Sequence, residues 1–330
     1  MTAVGLPRGS ILGTRVQRLE DPEFLTTGAV YTEDVVDDRL TGALRATFVR
    51  SPLAHARITG IDASAALAVE GCVAVVTAAD LTDVPPPAPA FPMYPAAMGL
   101  PLLAADTVRY VGEPVAMVLT DGRYDGEDVA ELVDVDYEPL PAVVDPETAA
   151  ASETLLFPEA GTNVAFARAP ESEDPIFLGC EVVVRQRVVN QRVAVAPLEV
   201  RSAAAVWEAD GRLTTWIPNQ GAEHTQATVA GLLGLTIEQV HVITPAVGGA
   251  FGAKFGADPE AVTVGWAARH FDRPVTWVET RSENMVAMTH GRGQVQRVTI
   301  GGDRDGRVRS YRLDIVQDSG AYPRIGALLP

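Results

Sequence analysis

Hydrophobic positions alternate with polar ones along much of the first half of the chain. Where they do not alternate, they run in short blocks bounded by Gly, Pro or Asp. Residues 42–50 repeat every second position and predict a strand, stopped at Ser51-Pro52. The alternation continues weakly over 55–58. Residues 62–70 predict a short helix opened by Asp62 and closed by Gly71, and Cys72–Thr77 predicts a buried strand. Residues 108–119 predict two strands around the turn Gly112-Glu113-Pro114. An acid-rich helix start at 125–133 then runs into an alternating strand, 133–137. Ahead of these lies an irregular arm, residues 9–34, in which 27–31 read as a turn followed by strand-like residues.

Beyond about residue 175 the pattern changes to longer strands and hairpins. Residues 181–189 predict a long strand, 203–207 pair with 213–217 across Asp210-Gly211, and 295–300 pair with 308–315 across Asp305-Gly306. Two helices are expected. One spans about 222–233 and is closed by Gly234; the other starts at Asp258-Pro259 with Ala261, Val264, Gly265, Ala268 and Phe271 at helical spacing. Each N-terminus follows a loop and could present free N–H groups to an anion. Between the strand at 240–244 and the second helix lies Val247-Gly248-Gly249-Ala250-Phe251-Gly252-Ala253-Lys254, a glycine-rich loop whose backbone can approach a ligand closely. Residues 146–175 shift toward Pro, Ala, Glu, Ser and Thr and read as a linker between units 1–145 and 176–330. The class is α+β.

Composition narrows the ligand. With 330 residues and 47% hydrophobic content the chain can bury one or two cores. It has no apolar run of membrane-spanning length and no signal-like N-terminus, so a soluble, cytoplasmic protein is expected. Residues 1–165 carry 25 Asp/Glu against 9 Arg, a balance of −16; residues 166–330 carry 18 against 17 Lys/Arg, a balance of −1. A net charge of −17 argues against a nucleic-acid partner, and an anionic cofactor is favoured in the second half. The seven prolines from 85 to 101 read as a loop, and Asp134 with Asp136 as a solvated strand face rather than a metal pair. Cys72 and Cys180 are too few for a disulfide framework or cluster site and read as buried fillers, while the histidines at 55, 224, 241, 270 and 290 read as structural. Lys254 is the single lysine, which we read as a compositional bias toward arginine.

The loop matches neither common nucleotide motif. A phosphate-binding P-loop needs Gly-Lys followed by Ser or Thr, whereas Lys254 lies between Ala253 and Phe255. Gly248, Gly249 and Gly252 lack the dinucleotide spacing. ATP and NAD are therefore disfavoured. Phe251 also places a ring where a simple phosphate cradle would hold its ligand.

Residues 248–254, with Pro218-Asn219-Gln220 before them and Arg273-Pro274-Val275-Thr276-Trp277-Val278-Glu279 after, resemble the large subunit of the molybdenum hydroxylases, the xanthine dehydrogenase, aldehyde oxidase and aerobic carbon monoxide dehydrogenase family. In the first half, residues 18–22, 48–56 and 110–116 resemble that family's α/β hammerhead domain. The resemblance implies a hammerhead domain followed by the first part of a molybdopterin-binding α+β domain. It implies molybdopterin as cofactor, including its cytosine dinucleotide form, with the metal held by the pterin rather than by side chains. Gln220 matches the glutamine that hydrogen-bonds an oxygen ligand of molybdenum. Gly249, Ala250, Phe251 and Gly252 match the loop that packs and donates backbone hydrogen bonds at pterin and metal; Ala253 departs from the more common Gly. The implied activity is oxidation of an aldehyde, N-heterocycle or carbon monoxide with water as oxygen donor, with electrons leaving through iron–sulfur and FAD subunits.

The family's catalytic glutamate belongs to a second cofactor-binding domain, so no catalytic residue is assigned here. The expectation is an N-terminal portion, either a truncated piece or one part of a split subunit, inactive until a chain or segment supplies that second domain. The competing expectation is a non-catalytic binding or assembly module that keeps the fold without the cofactor.

Overall fold

A computed structural model describes residues 12–13, 15–122, 124–168 and 175–328. Residues 9–11 and 14 of the expected arm, 169–174 of the expected linker and the final 329–330 lie outside the described residues. The arm contains a short helix, α1 (Asp21–Thr26), with Pro22 in its first turn. No strand forms over 27–31. Gly28 turns the chain at φ 81°, a 3₁₀ turn follows at Thr32–Asp34, and the Val30 carbonyl accepts a single bond from Ala246 N–H.

Next come β1 (Leu44–Arg50), β2 (Ala56–Asp62), α2 (Ser64–Leu67), β3 (Cys72–Thr77), β4 (Thr107–Val108), β5 (Pro114–Thr120), α3 (Gly126–Ala130) and β6 (Asp134–Pro139). The alternation in β1 buries Leu44, Ala46 and Phe48. In β5 every residue is buried, because it lies between β1 and β3 with both faces covered. The expected buried strand at 72–77 is instead an edge strand, and only its Val76 is buried. Cys72 and Cys180 are half-buried and unpaired rather than buried.

After α4 (Pro146–Ala149) the chain forms β7 (Val182–Asn190), β8 (Ser202–Trp207), β9 (Leu213–Trp216), α5 (Ala222–Leu233), β10 (Val240–Ile243), α6 (Pro259–His270), β11 (Val275–Val278), α7 (Arg281–Ala287), β12 (Gln294–Gly302) and β13 (Val308–Gln317). Gly234 closes α5 in the left-handed region at φ 64°. Both hairpins form, β8 with β9 and β12 with β13.

One seven-stranded sheet runs β10-β9-β8-β11-β1-β5-β3, so strands from both sides of residues 146–175 share a ladder. The joint is β1 parallel to β11, with Leu44 N–H on the Pro274 carbonyl at 2.8 Å. Helix α6 packs into the core that both halves build, and residues 259–268 are all buried. A helix covered on every side needs no polar stripe. Its Trp266 donates Nε1–H to Asp83 at 2.8 Å, which ties down the start of the proline-rich loop.

Candidate functional site

Strands β9 and β10 are parallel neighbours, and α5 is the crossover between them. Their C-terminal ends therefore deliver two loops, 217–221 and 244–257, to the same end of the sheet, where α/β ligand sites form. Asn219 braces the first loop. Its Nδ2 donates to the Ile217 carbonyl at 2.9 Å and to Thr244 Oγ1 at 2.6 Å, while Oδ1 accepts Gly221 N–H at 2.8 Å.

Gln220, far from the glycine loop in sequence, touches it directly. Gly252 N–H donates to Gln220 Oε1 at 2.9 Å, and Gln220 N–H donates to the Lys254 carbonyl at 3.0 Å. The first bond orients the carboxamide, which leaves Nε2 as an outward donor with no partner among the described residues. The loop takes its shape from Gly249 (φ 105°), Phe251 (φ 50°) and Gly252 (φ 93°). A phenylalanine in the left-handed region carries strain of about 1 kcal/mol or more. Here Phe251 is 78% exposed beside a buried Ala250. Among the described residues no protein acceptor takes the N–H groups of Gly249, Ala250 or Phe251. Three successive amides without a protein acceptor could donate to anionic or oxo groups.

Lys254, the single lysine in an arginine-biased chain, is also a built part of the loop. It is 2% exposed and donates Nζ to the Glu199 carbonyl at 2.9 Å and to Glu199 Oε2 at 2.8 Å. The same carboxylate oxygen accepts Gly248 N–H at 2.8 Å. Gly248 has to be glycine, since an added Cβ would lie 2.5 Å from Glu199 Cβ.

Behind the loop, the α6 N-terminus, an expected anion site, carries the protein's own carboxylates Asp258 and Glu260. Asp258 makes no side-chain cap; it pairs with Arg324 at 2.7 Å and Arg201 at 3.5 Å. Arg201 is 4% exposed and reaches Glu260 at 3.0 Å and Glu279 at 2.7 Å, while Arg50 from β1 reaches Glu260 and Glu283, each at 2.7 Å. Burial works against charge in this cluster, but the paired charges win. The Arg201 guanidinium is held well above its usual pKa, and Glu260 well below the carboxylate range by Arg201 and Arg50.

Glu199, Arg201, Glu260 and Glu279 are missing from the sequence-derived site. The one signal in the chain, two opposite charges around an apolar residue in Pro197-Leu198-Glu199-Val200-Arg201, looks like any exposed strand entry. His224 stacks on Phe255 at 4.5 Å between ring centroids and His55 Nδ1 contacts the Pro141 carbonyl, both packing roles.

A cleft of about 1300 Å³ opens elsewhere, lined among others by Arg109, Tyr110, Met285, His290 and Tyr322; neither Gln220 nor residues 249–252 line it. Beneath the lining residues Arg109 and Tyr322, Glu113 is buried and accepts the Tyr322 hydroxyl at 2.6 Å and the Arg109 backbone N–H. Burial pushes its carboxyl up from 4.5 to about 7, against the pull of those hydrogen bonds. A raised carboxyl stabilises the fold below pH 4.5 and loses that contribution as pH climbs to 7, here about 3 kcal/mol in all. Glu113→Gln should therefore gain on the parent progressively between pH 5 and 8 in urea unfolding. Parallel pH curves for the two proteins would refute this account.

Comparison with known families gives the class, a molybdopterin cofactor-binding domain behind a hammerhead domain. Residues 156–330 match the molybdopterin cofactor-binding domain, and residues 26–141 match the aldehyde oxidase and xanthine dehydrogenase a/b hammerhead domain. The chain belongs to the family of large molybdopterin subunits of xanthine, aldehyde and carbon monoxide dehydrogenases. It is 37% identical to the nicotine 6-hydroxylase large subunit of Paenarthrobacter nicotinovorans over 320 residues, covering 95% of this chain and 39% of that one. It is 35% identical to the carbon monoxide dehydrogenase large chain of Afipia carboxidovorans over 331 residues, covering 94% and 40%. The crystal structure of quinoline 2-oxidoreductase from Pseudomonas putida 86 superposes with a TM-score of 0.85 at 35% identity, covering 94% of this chain and 40% of that one. The chain thus spans about 40% of the length of these relatives.

Proposed function

We propose that the loop at 248–254 and Gln220 form one wall of a molybdopterin site, and that the assembled protein oxidises an aldehyde, an N-heterocycle or carbon monoxide with water as oxygen donor. The observation that carries this reading is the Gln220 carboxamide, oriented by Gly252 N–H and aimed outward beside three free loop amides. When bound, the cofactor supplies the two-electron chemistry, and the protein supplies orientation and electrostatics. Gln220 Nε2 would donate to an oxygen of the group. The amides of Gly249, Ala250 and Phe251 would donate to its polar groups, and the exposed Phe251 would offer it an apolar contact. These residues fit molybdopterin or its cytosine dinucleotide form. Relatives named for nicotine, quinoline and carbon monoxide support the substrate classes.

The wall is open, with Gln220 and Phe251 exposed. The remaining wall and the base would come from a chain or segment equivalent to the part of the relatives that this chain does not span. Iron–sulfur and FAD subunits would carry the electrons away, in the cytoplasm.

Molybdenum and pterin analysis of the chain purified alone, and after co-production with its neighbouring gene products, tests the reading. The chain alone should be inactive and metal-free, and the complex should hold molybdenum. Gln220→Ala should reduce molybdenum-dependent turnover at least tenfold, about 1.4 kcal/mol or more of lost interaction. Unchanged turnover in a loaded complex would remove Gln220 from the site. Complexes that never hold molybdenum would favour a non-catalytic assembly module.

A further inference from the structure

The chain's single lysine is spent inside the loop, and its environment explains why. Gly248 and Lys254, the two ends of the loop, share one carboxylate oxygen, Glu199 Oε2. Gly248 is held twice more, since its carbonyl accepts Glu199 N–H at 3.1 Å and its Cα sits against Glu199 with no room for a Cβ. Lys254 is also held twice more, by Nζ on the Glu199 carbonyl and by its own carbonyl under Gln220 N–H. Residues 249–252 are thus the span of a closed clamp; of their N–H groups only that of Gly252 is engaged among the described residues, by Gln220, while the Ala250 carbonyl accepts Ala253 N–H at 2.9 Å.

Stability alone accounts poorly for this pair. A buried ion pair is often no better than an apolar pair of the same volume. Glu199 also leaves Oε1 buried without a partner, a cost an apolar residue would avoid. Burial pulls the Lys254 ammonium below its ordinary pKa, with Glu199 opposing. What an apolar pair could not do is accept Gly248 N–H and close the loop through one oxygen.

We propose that Glu199 and Lys254 are positioning residues that set the curvature of residues 249–252, so that their free amides and Gln220 Nε2 face one ligand together. This rests on the molybdopterin reading of the loop, and the experiment separates the two. Lys254→Met leaves Glu199 buried and unpaired, while Glu199→Leu with Lys254→Met removes both charges. On the full chain, the single variant should lower the urea midpoint, and the double variant should restore most of it. In the double variant the Gly248 amide should exchange with solvent about tenfold or more faster than in the parent. The Gly252 amide, held by Gln220, should keep most of its protection. Co-produced with its neighbouring gene products, the double variant should lose most of its molybdenum despite its recovered stability.

Parent-like Gly248 protection, or full molybdenum content in the double variant, would overturn the proposal. So would a double variant that stays as unstable as Lys254→Met, which would make the pair a stability element. If the parent complex itself holds no molybdenum, the cofactor reading fails, and the exchange data still decide whether the pair shapes the loop.

Discussion

Replacing Arg201 by Met is expected to cost the fold about 3–5 kcal/mol, a large part of the 5–15 kcal/mol that holds a typical domain together. The side chain is buried and binds Glu260, Glu279 and Asp258 at once. Its removal leaves Glu279 with only Asn284 and a backbone N–H, and Glu260 with Arg50 alone. Unpaired buried carboxylates recover by taking up protons, so the loss depends on pH. In the parent, Glu260 is held below its usual pKa; its contribution is present above pH 4.5 and is lost as pH falls below that. The Arg201→Met deficit should therefore be larger at pH 8 than at pH 5. Urea unfolding at both values measures it, and a deficit under about 1 kcal/mol at pH 8 would mean that the cluster is not the linchpin described. Because Arg50 enters the cluster from β1, the variant should also loosen the joint between β1 and β11.

Gly248→Val is the second large effect. The new Cβ would stand 2.5 Å from Glu199 Cβ and 3.3 Å from the Tyr31 ring, and neither contact is the end of a flexible side chain. The loop must lift off Glu199, breaking the backbone bond from Glu199 N–H to the Gly248 carbonyl and the carboxylate's hold on Gly248 N–H. Overpacking of this kind typically costs 1–3 kcal/mol. On the proposed function the cofactor content of the assembled protein should fall at least tenfold, because Gln220 and the loop amides no longer face one ligand. Metal analysis beside thermal unfolding separates loss of the site from loss of the fold. A stable variant with full molybdenum content would show that this loop does not touch the cofactor.

How much of this was legible depended on whether a feature was local. The helices at 222–233 and 259–270 could be read because the stop at Gly234, Pro259 in the first turn and the apolar spacing act locally, although Asp258 makes no side-chain cap. The hairpins across Asp210-Gly211 and Asp305-Gly306 followed from turn chemistry. Residues 27–31 misled because β-branched and aromatic residues pack equally well on a sheet or in an arm that crosses a loop. Cys72–Thr77 misled because an apolar run does not say whether a strand has one neighbour or two.

The site divided along the same line. By itself the sequence determined a glycine-rich loop after a strand, a Pro-Asn-Gln turn before a helix, and a resemblance to molybdenum hydroxylases carried by both. It could not say that Gln220 orients its amide on Gly252, because that contact exists only once β9 and β10 lie parallel and bring their ends together. Nor could it say that Lys254 is buried on Glu199, or that Arg50, Arg201, Glu260 and Glu279 share one cluster. Charges obey no period along the chain. Which charge meets which is decided only where the folded chain excludes water and leaves each one to find its partner.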